Sequence, residues 1–309
     1  MNTKIDPRTA AVTAAEKFWI AVFVTVPLAA TAVGVFQLWN RAVDAVSLLL
    51  CLLFYLLSTL GVTVGFHRCF THRGFRIKKP WLETLIAGCG SMAAEGSLFT
   101  WVGWHRIHHL HSDQEGDLHS PYRFGHGFWG IFKGFLFAHV GWLFSTPYPD
   151  QKFVGPIESN PRLVAVDRRF VLWIIAGLVL PPLLGLALRL SADHLLADFL
   201  WGGLIRLCLA HHVTWCVNSV CHIWGSRPFA SGDRSTNNLA VAILASGEGW
   251  HNNHHRFERS ARHGLLPGQF DLSWLVIRAF ERLGWVDEVH VPGPEKIRRA
   301  LAEAAPPPT

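Results

Sequence analysis

Charge is what this sequence has least of. Asp, Glu, Lys and Arg make up 16% of its 309 residues, against roughly 25% in a soluble globular domain. Half of the chain is apolar and its mean hydropathy is positive, +0.25, a balance that excludes an ordinary soluble enzyme. Cysteine is also sparse. Cys51, Cys69, Cys89, Cys208, Cys216 and Cys221 show no CxxC spacing and no extracellular framework, which argues against thiolate metal sites and disulfides. No Gly-rich phosphate loop, internal repeat or second soluble domain is visible. The polar start, MNTKIDPRTA, lacks a small-residue cleavage site behind a short apolar core, so the first apolar run reads as a retained span rather than a removed signal.

Long apolar runs are what the sequence has instead. Stretches 18–39, 45–66, 170–190 and 195–220 each approach the ~20 apolar residues a spanning helix needs. They pair into two hairpins with short outer turns near 40–44 and 191–194. Lys and Arg fall 3 in the segment up to Lys17, 12 in 67–169 and 10 in 221–309, leaving only Arg41, Arg189 and Arg206 elsewhere. The basic side is the cytoplasmic one by the positive-inside rule. The net charge of +6 is then a consequence of topology and of attraction to anionic headgroups or acidic partners, not a nucleic-acid footprint. Two weaker apolar stretches, 82–100 and 127–144, suit partly embedded amphipathic helices on that face. The expected architecture is an all-α membrane protein of four transmembrane helices. Residues 1–17 form a cytoplasmic segment, 18–290 one domain with its cap in 67–169 and 221–290, and 291–309 a tail with a short helix.

Nine of the 18 histidines stand in four blocks at the cytoplasmic boundary: HRCFTH (His67, His72), HRIHH (His105, His108, His109), NSVCH (Asn218, His222) and HNNHH (His251, His254, His255). In HRIHH and HNNHH the imidazoles sit at i, i+3 and i+4, which puts three on one helical face. Asn218 and His222 share a face at i, i+4, whereas His67 and His72 diverge by roughly 140° on an ideal helix and suit two metals better than one. Nine neutral imidazoles exceed what one ion takes, since zinc closes with four ligands, so two metals are expected. Imidazole suits Zn, Cu, Fe and Ni alike. The position beside apolar substrate space favours a redox metal that activates oxygen, with iron ahead of copper and of structural zinc. His111, His119, His126, His139, His194, His263 and His290 read as ordinary hydrogen-bonded residues, while His211 and His212 within the fourth run suit a cavity lining or gate.

HRCFTH, HRIHH and HNNHH together resemble the three histidine boxes of the integral-membrane fatty acyl desaturases. WCVNSVCHIWG and GEGWHNNHHRFERSARHGL resemble the delta-9, stearoyl-CoA desaturase-like branch, especially its bacterial members, and the likeness runs from about residue 50 to 290. The resemblance implies a four-span bundle with a cytoplasmic helical cap, two Fe ions held by histidines, and a kinked acyl tunnel. It makes His67, His72, His105, His108, His109, His222, His251, His254 and His255 the ligands, with Asn218 holding a metal-bound water. It leaves Asp113, Glu115 and Asp117 to fix imidazole tautomers, and Trp101 and Trp215 to line the substrate path. Tyr55, about 18 Å down the helix from His67, and Thr59 would bound the tail of the chain. Many animal acyl-CoA members carry Arg-Asp directly before HRxHH, whereas here Gly103 and Trp104 stand there; acyl-CoA and acyl-lipid both stay open as substrates.

That family inserts a cis double bond into a saturated chain, delta-9 being the implied position, at the inner membrane of a bacterium with the active site cytoplasmic. The reaction consumes O2 and two electrons. With no flavin, haem or iron–sulfur motif visible, the electrons are expected from an external ferredoxin, cytochrome or flavin reductase docking on the basic face. A lipid hydroxylase or other oxygenase would use similar histidine boxes. A metal or proton transporter would instead place its histidines near the membrane midplane.

Overall fold

The computed structural model describes residues 11–40 and 43–304; expectations resting on 1–10, 41–42 and 305–309, Arg41 and the end of the tail among them, lie outside the described residues. Among the described residues, three helices are long and apolar enough to cross a membrane: Ala14–Leu38, Ala45–Thr71 and Phe170–Arg189. The first starts with a capping box, in which Thr13 Oγ1 accepts from the Glu16 amide and Glu16 Oε2 from the Thr13 amide, satisfying two donors the helix start would leave open.

The fourth expected span differs from the other three. Residues Leu195–Asp198, Phe199–Ile205 and Arg206–Ser219 form one helical run whose middle is wound in wider π turns. Asp198, Arg206, His211 and His212 lower its hydropathy, and Trp201, Ile205, Leu207, Cys208 and Ala210 are buried among its neighbours. It is a helix enclosed by protein more than one facing lipid. Arg206, fully buried, donates to Met92 O at 2.6 Å, Ser58 Oγ at 2.8 Å and Gly202 O at 3.1 Å. A charge at that depth persists only where such acceptors surround it. At the helix ends away from the histidine blocks, Arg189 meets both Asp44 and Asp198 at 2.7 Å, and Ser47 Oγ donates to Asp198 at 2.7 Å. One guanidinium thereby ties the two expected hairpins together.

The second span ends in a π-wound segment, Gly61–Thr71. It lies so close to the Pro80–Ser91 helix that a Cβ on Gly61 would stand 2.1 Å from the Gly90 amide nitrogen; only glycine permits this approach. The stretch expected as one helix over 82–100 is therefore two, Pro80–Ser91 and Leu98–His111, with a turn between. Residues 127–144 hold a helix, Phe128–His139, followed by a 3₁₀ turn at Gly141–Phe144. Phe128, Trp129, Phe132 and Leu136 are exposed along it, as an interfacial helix requires. The tail carries the helix Pro294–Ala304.

Phe66, Leu82, Leu98, Val102 and Ile277 form a core beneath the cap, each fully buried side chain of this size contributing about 1.5–3 kcal/mol. The cap is pinned to the second span by Arg68, which is wholly buried. Its guanidinium donates to Glu248 Oε1 at 3.0 and 3.1 Å, to Asp271 Oδ2 at 3.0 Å and to Ala261 O at 2.9 Å. Asp271 in turn caps the helix Leu272–Arg282 through the Trp274 amide.

Candidate metal centre

HNNHH forms the short helix His251–Arg256. Its two asparagines, which the histidine spacing ignores, hold it in place. Asn252 accepts from the Phe229 amide and donates to the Phe229 carbonyl, while Asn253 Oδ1 accepts from Asn237 Nδ2 and Asn253 Nδ2 donates to the His263 carbonyl and Gln269. All five residues from His251 to His255 are buried. HRIHH ends the Leu98–His111 helix, and His222 sits in the 3₁₀ turn Val220–His222.

The nine histidines of the four blocks gather into two groups. Ring nitrogens of His67, His72, His105, His109 and His254 converge in the first, and those of His108, His222, His251 and His255 in the second. Each long block is split. HRIHH sends His105 and His109 to the first group and His108 to the second; HNNHH sends His251 and His255 to the second and His254 to the first. The expectation that a block offers three nitrogens to one metal is thus corrected, because 100° per residue spreads i, i+3 and i+4 over enough arc to reach two neighbouring centres. The expected divergence of His67 and His72 is corrected too. They lie in the same group with ring centroids 4.8 Å apart, since the π winding makes i and i+5 neighbours, and the His72 amide donates to the His67 carbonyl at 3.1 Å.

The donor set fits metal ions. Nε2 atoms of the first group stand 3.0 to 3.1 Å apart along His67, His254, His109, His105 and His72, and those of His222, His251 and His255 stand 3.0 Å apart in sequence. A ring nitrogen carries one hydrogen or one lone pair, so Nε2 of His105, His109, His254 and His251, each facing two others, cannot be satisfied by hydrogen bonds alone. His108 Nε2, also buried, has no partner. Two nitrogens ~2.1 Å from one ion would be ~3.0 Å apart at right angles and ~3.4 Å apart in a tetrahedron. Spacings of this size let neighbouring rings share one ion. Burial first, and neighbouring imidazoles second, hold His105, His251, His254 and His255 well below the usual imidazole range, and neutral rings are what a metal requires.

Carboxylates stand behind the rings. His108 Nδ1 lies 3.0 Å from Asp117, His222 Nδ1 2.8 Å from Asp113, His67 Nδ1 2.6 Å from Glu248 and His109 Nδ1 3.4 Å from Glu258, while His255 Nδ1 pairs with Asp233. Of the three acids singled out in the sequence, Asp113 and Asp117 are at the site and Glu115 is exposed on the loop between them. Asp233, Glu248 and Glu258 are additions that no local spacing reveals. So are His263, which joins His67 and Glu248, and His119, which stacks on His108 with centroids 4.3 Å apart.

A cavity of 470 Å³ adjoins the first group, and His105, Trp101, Trp215, His211, His119 and Asn218 are among its lining. Trp101 stacks on His105, centroids 4.9 Å apart at 23°. Glu95 also faces this space, within reach of Trp101 Nε1 at 3.4 Å; its apolar surroundings push the carboxyl up to about 8. Tyr55 and Thr59 lie outside this lining, and Tyr55 donates its hydroxyl to the Leu244 carbonyl at 2.7 Å. Trp104 donates to the Pro147 carbonyl at 2.8 Å and packs edge-on against Trp142, and a Cβ on Gly103 would press on Pro149 at 2.5 Å.

Residues 44–267 match the family model described as fatty acid desaturase. The chain is 37% identical over 270 residues to the hex-5-enoyl-[acyl-carrier protein] acetylenase of Moorena producens, covering 86% of this chain and 84% of that one. It is 40% identical over 241 residues to the sn-1 stearoyl-lipid 9-desaturase of Anabaena variabilis, with 77% and 81% covered. It is 38% identical over 248 residues to the acyl-CoA C20 Delta5-desaturase of Anemone leveillei, with 78% and 72% covered.

Proposed function

The chain belongs to the fatty acid desaturase family, and on that premise we propose that it places a cis double bond at the delta-9 position of an acyl chain carried by a membrane lipid. It is a membrane oxidoreductase acting on fatty acyl chains. In the reading we favour, –CH2–CH2– + O2 + 2 electrons + 2 protons gives –CH=CH– + 2 water. Breaking unactivated C–H bonds lies beyond acid–base chemistry, and two iron ions held by the nine histidines would supply the oxidising power; Asn218 would hold a metal-bound water. The protein's own part is to position the chain and exclude solvent.

The observation that carries this reading is that His105 belongs both to the five-histidine group and to the wall of the apolar cavity. A chain lying against Trp101 and Trp215 would pass beside the ring that Trp101 stacks on. Charge supports a lipid carrier. The lining includes Glu16, Glu95 and Asp167 but no Lys or Arg among the described residues, so the phosphates of coenzyme A would find no countercharge there. Ile20 and Phe23 of the first span border the same space, which suits entry from the bilayer. The Lys and Arg asymmetry supports a cytoplasmic position for the centre in an inner membrane.

Expression in a host lacking its own desaturase, followed by double-bond mapping of lipid-bound and thioester-bound chains, tests the proposal. A new 9,10 double bond appearing first in intact lipids is expected. Hydroxylated chains would move the reading to an oxygenase, and unchanged chains with a correctly folded, iron-loaded protein would refute it.

A further inference from the structure

Five carboxylates touch the imidazoles of the two groups, and four of them are closed in: the side chains of Asp113, Asp117, Asp233 and Glu248 are at most 7% exposed, while Glu258 is 52% exposed. Glu258 therefore connects solvent directly to His109, whose Nε2 is 3.0 Å from those of both His105 and His254. The same residue lines a cleft of 870 Å³ between the chain just after HNNHH and the helix Pro294–Ala304. Arg256, Arg259, Lys296 and Arg299 line it as well and are exposed, against Glu258 and Glu303 as its acids. No residue of this cleft belongs to the acyl cavity, so a partner seated here leaves the substrate path free.

We propose that this cleft is the docking surface for the electron donor, a small acidic protein that carries one electron at a time. The inference rests on the desaturase reading, which consumes two electrons from outside. Each docking would oxidise the carrier by one electron, which would reach the metal pair held by the histidines by way of the Glu258–His109 contact, and two dockings would supply the two electrons of one turnover. Basic residues around a redox entry attract an acidic partner and set its orientation, and the apolar cavity, with no Lys or Arg in its lining among the described residues, offers less such attraction.

The test uses the full chain, iron-loaded in nanodiscs, with an acidic [2Fe–2S] ferredoxin as the probe. Binding is measured by surface plasmon resonance across a salt series. The double variant Arg259→Glu/Lys296→Glu is expected to raise Kd by about tenfold or more at low salt and to flatten the salt dependence. Iron content and product formed with dithionite as reductant should stay at the wild-type level. The milder Arg259→Gln/Lys296→Gln should give an intermediate Kd, which guards against a folding defect. Arg282→Glu, a reversal outside the cleft, should leave Kd within about twofold. An unchanged Kd in the double reversal, an equal loss in Arg282→Glu, or no ferredoxin binding by the wild type would overturn the docking site. A protein that neither holds iron nor turns over with dithionite would instead overturn the desaturase reading beneath it.

Discussion

The two histidine groups are built from the same blocks but face different ways. The five-membered group opens on the apolar cavity through His105 and on solvent through Glu258, and Glu248 behind it is tied to Arg68. The four-membered group is enclosed, with Asp113, Asp117 and Asp233 buried behind three of its four rings. The difference teaches a division of labour. One group meets what comes and goes, and the other is held still by short, buried aspartates. Because HRIHH and HNNHH each serve both groups, neither can be altered at a ligand without disturbing its neighbour.

The largest expected effect breaks the comparison outright. His254 is the single residue that HNNHH sends to the first group, and His254→Ala should lower metal content from about two ions per chain to one or fewer, with product loss beyond the roughly 10–100-fold that a supporting carboxylate is worth. Elemental analysis alongside product measurement checks this; full retention of metal would show that the two groups are not metal sites. Next comes the buried cation that supports only the first group. Arg68→Met leaves Glu248 and Asp271 without their partner, and removing one side of a buried ion pair costs about 3–5 kcal/mol. Thermal unfolding in detergent should show the loss, and a Tm within a degree of wild type would mean that the network contributes nothing net.

The contrast between closed and open carboxylates is sharpened by a matched pair. Asp233→Asn removes the buried negative charge behind His255 and should weaken metal binding by about 10–100-fold. Glu258→Gln, half-exposed and at 3.4 Å from His109, should weaken it by about threefold or less, as expected where solvent screens the contact. Competition with a chelator measures both, and equal losses would erase the distinction between the groups.

How much of this was legible in the sequence depended on whether the signal was local. Three spans follow from runs of apolar residues, and the tail helix from the segment after Pro292. The clustering of nine histidines at one boundary was legible in the same way. The fourth run was harder, because Asp198, Arg206, His211 and His212 are polar in sequence yet satisfied or enclosed by neighbours in space. His67 and His72 were misjudged for a geometric reason: an α-helical wheel turns i+5 away, and only a π segment brings it back. Asp233, Glu248, Glu258 and His263 were missed because they reach their rings across loops. The HNNHH asparagines hid in plain view, since a spacing rule for ligands says nothing about what anchors the opposite face.

The smallest effect concerns only the open side. Glu95 faces the apolar cavity beside Trp101, and burial, outweighing hydrogen bonds from Thr214 and Trp101, pushes its carboxyl up to about 8. At pH 7 it is therefore mostly neutral, and it adds no charge to the cavity wall beside Trp101. The sign follows from the raised value. The folded protein holds this proton more tightly than the unfolded chain, so Glu95 costs stability progressively as pH rises from the ordinary carboxyl range through about 8, after which the cost is constant. Over the upper part of that window a carboxylate appears in the cavity, and KM for the acyl substrate should rise about two- to fivefold between pH 7 and 9. Glu95→Gln keeps the shape without the charge and should flatten KM over the same range while matching wild type at pH 7. Metal content should not change with pH in either protein over that interval, because Glu95 belongs to the cavity and not to the carboxylates behind the rings. A pH-dependent KM that survives in Glu95→Gln would assign the titration to another group and leave the two histidine groups indistinguishable on this count.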